Sequence, residues 1–99
     1  MTREEFSSSV ATGQPPAKLS DELRVLWLDA KGDWEAAHEL AQEIESSNGA
    51  RLHAYLHRKE GDLENARFWY REAGQKEVDT SLEAEWESLV DEFLIFHEN

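Results

Sequence analysis

A short signature occurs twice in this chain, 29 residues apart: Gly32-Asp33-Trp34-Glu35-x-Ala37 and Gly61-Asp62-Leu63-Glu64-x-Ala66. Each copy reads as a turn followed by the start of a helix. Gly ends one helix and the Asp side chain caps the next. Repeated units of this kind bury one another's apolar faces by stacking. The chain therefore reads as a small repeat of helical hairpins, an architecture that builds surfaces rather than catalytic centres.

The apolar spacing places the helices. Ser20 is a good N-cap, and Asp21 and Glu22 put negative charge at the positive end of the dipole of a first helix that runs to about Lys31. Its apolar residues Leu23, Val25, Leu26, Trp27 and Leu28 occupy more than one face, which predicts contacts on two sides. Asp33 caps a second helix with Trp34, Ala37, Leu40, Ala41 and Ile44 at helical spacing, and Ser46-Ser47-Asn48-Gly49 reads as its stop. A third helix, from about Ala50 to Glu60, carries Leu52, Ala54, Tyr55 and Leu56. Asp62 caps a fourth with Leu63, Ala66, Phe68, Trp69, Tyr70 and Ala73, ended by Gly74. The fifth, about Ser81 to Phe96, is the most regular. Thr80 with Glu83 reads as a capping box, and Leu82, Trp86, Leu89, Val90, Phe93 and Leu94 form one stripe opposite an almost wholly acidic face. Residues 1–18 hold a Ser run, Gly13 and Pro15-Pro16 without periodic apolar residues, which predicts a flexible arm before a single helical domain at 19–99.

Charge and composition exclude whole classes of function. The ten aromatic residues supply the large side chains that a disordered acidic chain lacks. With no Cys there is no disulfide, thiolate metal site or Cys nucleophile, which suits the cytoplasm. No apolar leader follows Met1, and no 18 apolar residues run together, so the expectation is an unexported protein with no membrane partner. A net charge of −12 argues against nucleic acid, where Lys and Arg must neutralise phosphate. The charge is unevenly spread: residues 51–76 hold six basic and four acidic side chains, whereas residues 77–99 hold eight acidic and none basic. Beside the plain reading of a solvated surface stands a basic groove that meets an acidic partner or the chain's own acidic tail.

The segment Gly61-Asp62-Leu63-Glu64-Asn65-Ala66-Arg67-Phe68-Trp69-Tyr70-Arg71-Glu72-Ala73 resembles the second half of a tetratricopeptide repeat. Ala66, Tyr70 and Ala73 fill that family's small, aromatic and small slots, and Ala54 fills the small slot of the preceding helix. In the first copy Ala37 fits, while Val25 and Ala41 replace the small residue and the aromatic. The 29-residue offset is shorter than the family's ~34, and no Pro closes either unit. The resemblance covers about residues 20–74 and implies an all-α fold of two antiparallel hairpins plus an amphipathic C-terminal cap. Because such arrays normally need three units, the fifth helix is expected on helices three and four with its acidic face outward; packing on a second chain instead makes a homodimer. The string from His53 to Gly61 is also similar to that of short uncharacterised bacterial proteins, which implies a bacterial source.

The resemblance further implies a concave groove lined by the first helix of each pair. Helix three then contributes Arg51, Tyr55 and Arg58, and helix one Glu22, Leu26 and Asp29. Two Arg forks and a Tyr are a recipe for capturing an acidic peptide. Within the aromatic group Tyr55, Phe68, Trp69 and Tyr70, which at helical spacing reads mainly as core, Tyr55 and Trp69 are expected to keep exposed edges. Trp69 therefore joins the candidate partner-binding residues.

One other constellation bears on chemistry. His53-x-x-x-His57 with Glu60 lines one helix face and offers two imidazoles and a carboxylate to a divalent metal or an acid–base step. It is not the zincin pattern, because Ala54 stands where the catalytic Glu belongs. In the repeat alignment both His fall where paired helices pack, so structural imidazoles are the first expectation. His38, beside Glu35 and Glu39, reads as solvated surface charge. No Gly-rich phosphate loop or nucleophile elbow is present. The expectation is a non-catalytic protein- or peptide-binding module with no catalytic residue, metal or cofactor. The alternatives are a small-molecule or metal site, enzymatic or not, at His53, His57, Glu60 and the neighbouring aromatics, and a homodimeric structural protein built through the fifth helix.

Overall fold

A computed structural model describes residues 1–98, with side chains as far as Ile95; Asn99, the last residue of the expected domain, lies outside the described residues. All regular structure among them is helical: α1 (Arg3–Thr12), α2 (Asp21–Ala30), α3 (Trp34–Glu43), α4 (Ser47–Glu60), α5 (Leu63–Glu72) and α6 (Leu82–Glu98). No helix among these residues is long and apolar enough to cross a membrane.

The two Gly-Asp turns share one local conformation. Gly32 and Gly61 take φ of 93° and 89°, a left-handed backbone that glycine adopts without steric cost. Asp33 and Asp62 then accept hydrogen bonds from the N–H groups of Ala36 at 3.1 Å and Asn65 at 3.3 Å, satisfying donors that a helix start leaves free. Beyond the turns, α2 packs on α3 and α4 on α5, while α3 against α4 links the two pairs. Small residues sit at these contacts: Ala37, Ala41, Ala54, Ala66 and Ala73 are all buried.

Three expectations are corrected. Residues 3–12 are not part of a flexible arm but form α1, which starts at a capping box: Glu5 N–H donates to Thr2 Oγ1, and Thr2 N–H to the Glu5 carboxylate. The helix is docked by Phe6, which is fully buried, and by Ser9 Oγ, which accepts from Trp27 Nε1 at 3.0 Å. The run Ser47-Asn48-Gly49 is not a stop but the first turn of α4. Glycine there permits a close backbone approach, since a Cβ at residue 49 would strike the Ile44 carbonyl. Finally, Ser81 rather than Thr80 caps α6, its Oγ accepting from Ala84 N–H at 3.0 Å.

The seat of α6 also differs. It packs on α1, α2 and α4 rather than on α4 and α5. The reason lies in α2, whose apolar residues spread over two sides. Leu23, Val25 and Leu26 are fully buried, and α3 alone does not cover them. Leu89, Val90 and Phe93 of α6 supply the missing cover, each no more than 2 % exposed, and Trp86 Nε1 donates to the Leu26 carbonyl at 3.1 Å. Burying each such side chain contributes about 1.5–3 kcal/mol, so α6 is part of the core.

Candidate functional site

The site elements radiate from α4, which contacts α2, α3, α5 and α6. Its residues fall into two rows at helical spacing. Arg51, Tyr55 and Arg58 make one row; His53, His57 and Glu60 make the other.

The first row is engaged by the chain itself. Arg51 Nη2 lies 2.8 Å from Glu92 Oε2, with its guanidinium 5.8 Å from the centre of the Phe93 ring. Arg58 Nη1 donates to Glu85 Oε1 at 2.8 Å, and its Nη2 to the Thr80 carbonyl. Tyr55 is buried, not edge-exposed, and its hydroxyl donates to Asp29 Oδ2 at 2.8 Å. Two carboxylates are thereby held inside the protein, and each has a Tyr and a cation. Asp29 takes Tyr55 and, at 2.9 Å, Lys59 Nζ; Glu85 takes Arg58 and, at 2.7 Å, the Tyr70 hydroxyl. Both are nearly inaccessible, so pairing offsets the desolvation that a lone buried carboxylate would suffer. Burial and the neighbouring carboxylates push both phenols far above their ordinary range, which keeps them as donors.

The anionic face of α6 therefore does not point wholly outward. Glu85 and Glu92 reach α4, while Asp91 meets Arg3 of α1 at 2.7 Å. Of the helix-one residues expected in the groove, Leu26 and Asp29 do face this region, and both are buried.

The second row lies on the other side of α4. Here the structure adds a residue that sequence reasoning left on the surface: His38 of α3. Its ring stacks on Trp34 with centroids 4.8 Å apart and stands edge-on to His53 at 4.8 Å and to His57 at 5.1 Å. Trp69 stacks on His53 from α5 at 4.2 Å, which separates it from Arg51, Tyr55 and Arg58. The four candidate partner-binding residues do not form one surface. The nitrogens of His38, His53 and His57 fall within 4.8 Å of one another. His57 Nδ1 lies 2.9 Å from Glu60 Oε1, and His53 Nδ1 is buried with no hydrogen-bond partner. Burial, then the two neighbouring imidazoles, lower the His53 pKa to about 4, and burial with His57 lowers that of His38. His53 and Trp69 open on a cavity of about 370 Å³ that also touches Ile44, Gly49, Ala50 and Glu72.

Chemically, the first row binds carboxylates and the second offers imidazoles beside a cleft that Trp69 helps line. Comparison of the chain with protein-family models, curated proteins and solved structures found no match.

Proposed function

We propose that this chain is a non-catalytic interaction module of the tetratricopeptide type, with α2–α3 and α4–α5 as its two antiparallel hairpins and α6 as its cap. Its recognition face is the side of α2 and α4 that carries Arg51, Tyr55 and Arg58. Its ligand is an acidic amphipathic helix of a partner protein in the cytoplasm, a setting that suits a chain without Cys. One observation carries the reading: this face already holds an acidic amphipathic helix, α6, through Arg51–Glu92 and Arg58–Glu85. The face therefore has the chemistry to take a helix by its carboxylates and its apolar stripe together, the helix-in-groove mode. A partner helix of like composition competes with α6 for the same cations.

The matched conformations of the two Gly-Asp turns and the small residues at the paired-helix contacts support the repeat assignment. The test is fluorescence anisotropy of a labelled peptide of residues 80–95 titrated with the full chain. The reading expects saturable binding that weakens with salt, strengthens in Glu92→Lys, where α6 is held less firmly, and is lost in Arg51→Glu. Equal binding by all three proteins would contradict it.

A further inference from the structure

The imidazole cluster lies across α4 from the proposed recognition face and has no part in that reading. We propose that His38, His53 and His57 form a binding site for a divalent transition-metal ion of the zinc class. Three observations meet there. First, the topology brings three imidazoles from two helices together, their nitrogens within 4.8 Å of one another. Tetrahedral coordination with Zn–N of ~2.0–2.1 Å needs nitrogens about 3.3 Å apart, so the three rings draw together on binding. The ligand set is mainly imidazole, which suits zinc, copper and nickel rather than calcium or magnesium.

Second, Glu60 is placed as the outer partner of a ligating histidine. Its Oε1 lies 2.9 Å from His57 Nδ1, a contact that favours the tautomer with the proton on Nδ1. Metal-bound histidines carry this kind of carboxylate on the far nitrogen, where it fixes the tautomer and raises ligand basicity. Glu60 thus acts as a positioning residue rather than as the ligand that its helix spacing implies.

Third, His53 is only 4 % exposed and its Nδ1 has no hydrogen-bond partner. An orphaned buried nitrogen is destabilising, and coordination within the cluster would give the His53 ring the partner it lacks. Trp34 and Trp69, stacked on His38 and His53, restrict both rings before any ion arrives. Trp34 is itself anchored through Nε1 to the Leu56 carbonyl at 2.9 Å. Three histidines leave a fourth position for water or for a donor from outside.

The probe is Co²⁺ alone, added to the full chain at pH 7.5, with visible absorption as the readout, followed by displacement with Zn²⁺. Nitrogen-rich tetrahedral cobalt absorbs far more strongly than the octahedral cobalt held by surface carboxylates, so the acidic chain supplies no false positive. The expected result is an intense band that saturates at one ion per chain and is displaced by zinc. His38→Ala, at a half-buried position outside the core, is expected to keep the helical circular dichroism and weaken the affinity by at least ~10-fold. Glu60→Gln weakens it by ~10–100-fold with the ligands intact. Absence of the intense band, or a band unchanged by His38→Ala, would overturn the site.

Discussion

At the scale of single residues, His53 holds the most consequential position in the molecule. It is buried between Trp69 and the imidazoles of His38 and His57, and carboxylates around this region include Glu60 and Asp62 beside His57, Glu39 beside His38, and Glu72 and Glu45 around the adjoining cavity. Protonation adds a buried cation beside two imidazoles, and the folded-state pKa falls to about 4. In the unfolded chain the same group titrates near ~6.5. A depressed histidine pKa means that the unfolded state takes up the proton first, so stability is complete above about pH 6.5 and is lost as pH falls toward 4. Proton NMR of the His53 ring is expected to give a midpoint near 4, with the melting temperature declining over the same window. A ring that titrates at the free-histidine value would contradict the packing described for it. The pair His53 and His57 was legible from spacing along one helix. His38 was not, because its part in the cluster depends on how α3 packs on α4, and nothing local to Glu35 and Glu39 signals that contact. Glu85 escaped for a related reason. On the helical wheel it belongs to an acidic face, and only Arg58 and Tyr70 from other helices draw it inward.

At the scale of elements, the helices that follow a clear apolar period and a capping residue were readable. The helix that breaks this pattern was missed. α2, α3 and α5 announce themselves through Ser20, Asp33 and Asp62, and α6 through the stripe from Leu82 to Leu94; α4 was legible from about Ala50, but its uncapped first turn read as a stop. α1 offers only Phe6 and Val10 four residues apart in a Ser-rich segment of low helix propensity. Its one local signal was Thr2 with Glu5, a capping box whose apolar run is too short to register. Tertiary contact supplies the rest: Phe6 is fully buried in the same core as α2 and α6 and faces Trp86 with ring centroids 5.9 Å apart. Phe6→Ala is therefore expected to cost ~3–5 kcal/mol in urea unfolding, as for a core aromatic. Loss of under about 1 kcal/mol would mean that α1 is peripheral.

At the scale of the whole molecule, the charge layout and the fold explain each other. The basic middle segment and the acidic C-terminal segment, separate in sequence, meet as α4 and α6. The pairs Arg51–Glu92 and Arg58–Glu85 differ in accessibility, and so in consequence. Glu92 is part-exposed, so its pair contributes little to stability and can exchange, whereas Glu85 is buried and removing its partner leaves an unpaired carboxylate in the core. That difference makes Glu92 the more readily released of the two carboxylates, while the apolar stripe beside it, Val90, Phe93 and Leu94, stays buried in the core. Of the residues expected to line a groove, Arg51, Tyr55 and Arg58 are engaged by Glu92, Asp29 and Glu85, and Trp69 lies against His53; the acidic segment that meets the two Arg was legible only as a charge asymmetry, because which neutralising partner wins is decided by geometry that no linear pattern contains.

The most direct measurement is the affinity of the acidic peptide for a chain whose α6 is tethered. The protein has no Cys, so Arg3→Cys with Asp91→Cys, at a pair that joins α1 to α6 at 2.7 Å and leaves Arg51 and Arg58 in place, introduces the two thiols to be joined by a short bifunctional maleimide. To keep the comparison fair, the reference is the same double variant with each thiol capped singly. If α6 and a partner helix share one face, tethering lowers peptide affinity by at least ~10-fold, equivalent to 1.4 kcal/mol of exclusion. Equal affinity for tethered and singly capped protein would contradict the account and move the recognition site elsewhere on the molecule.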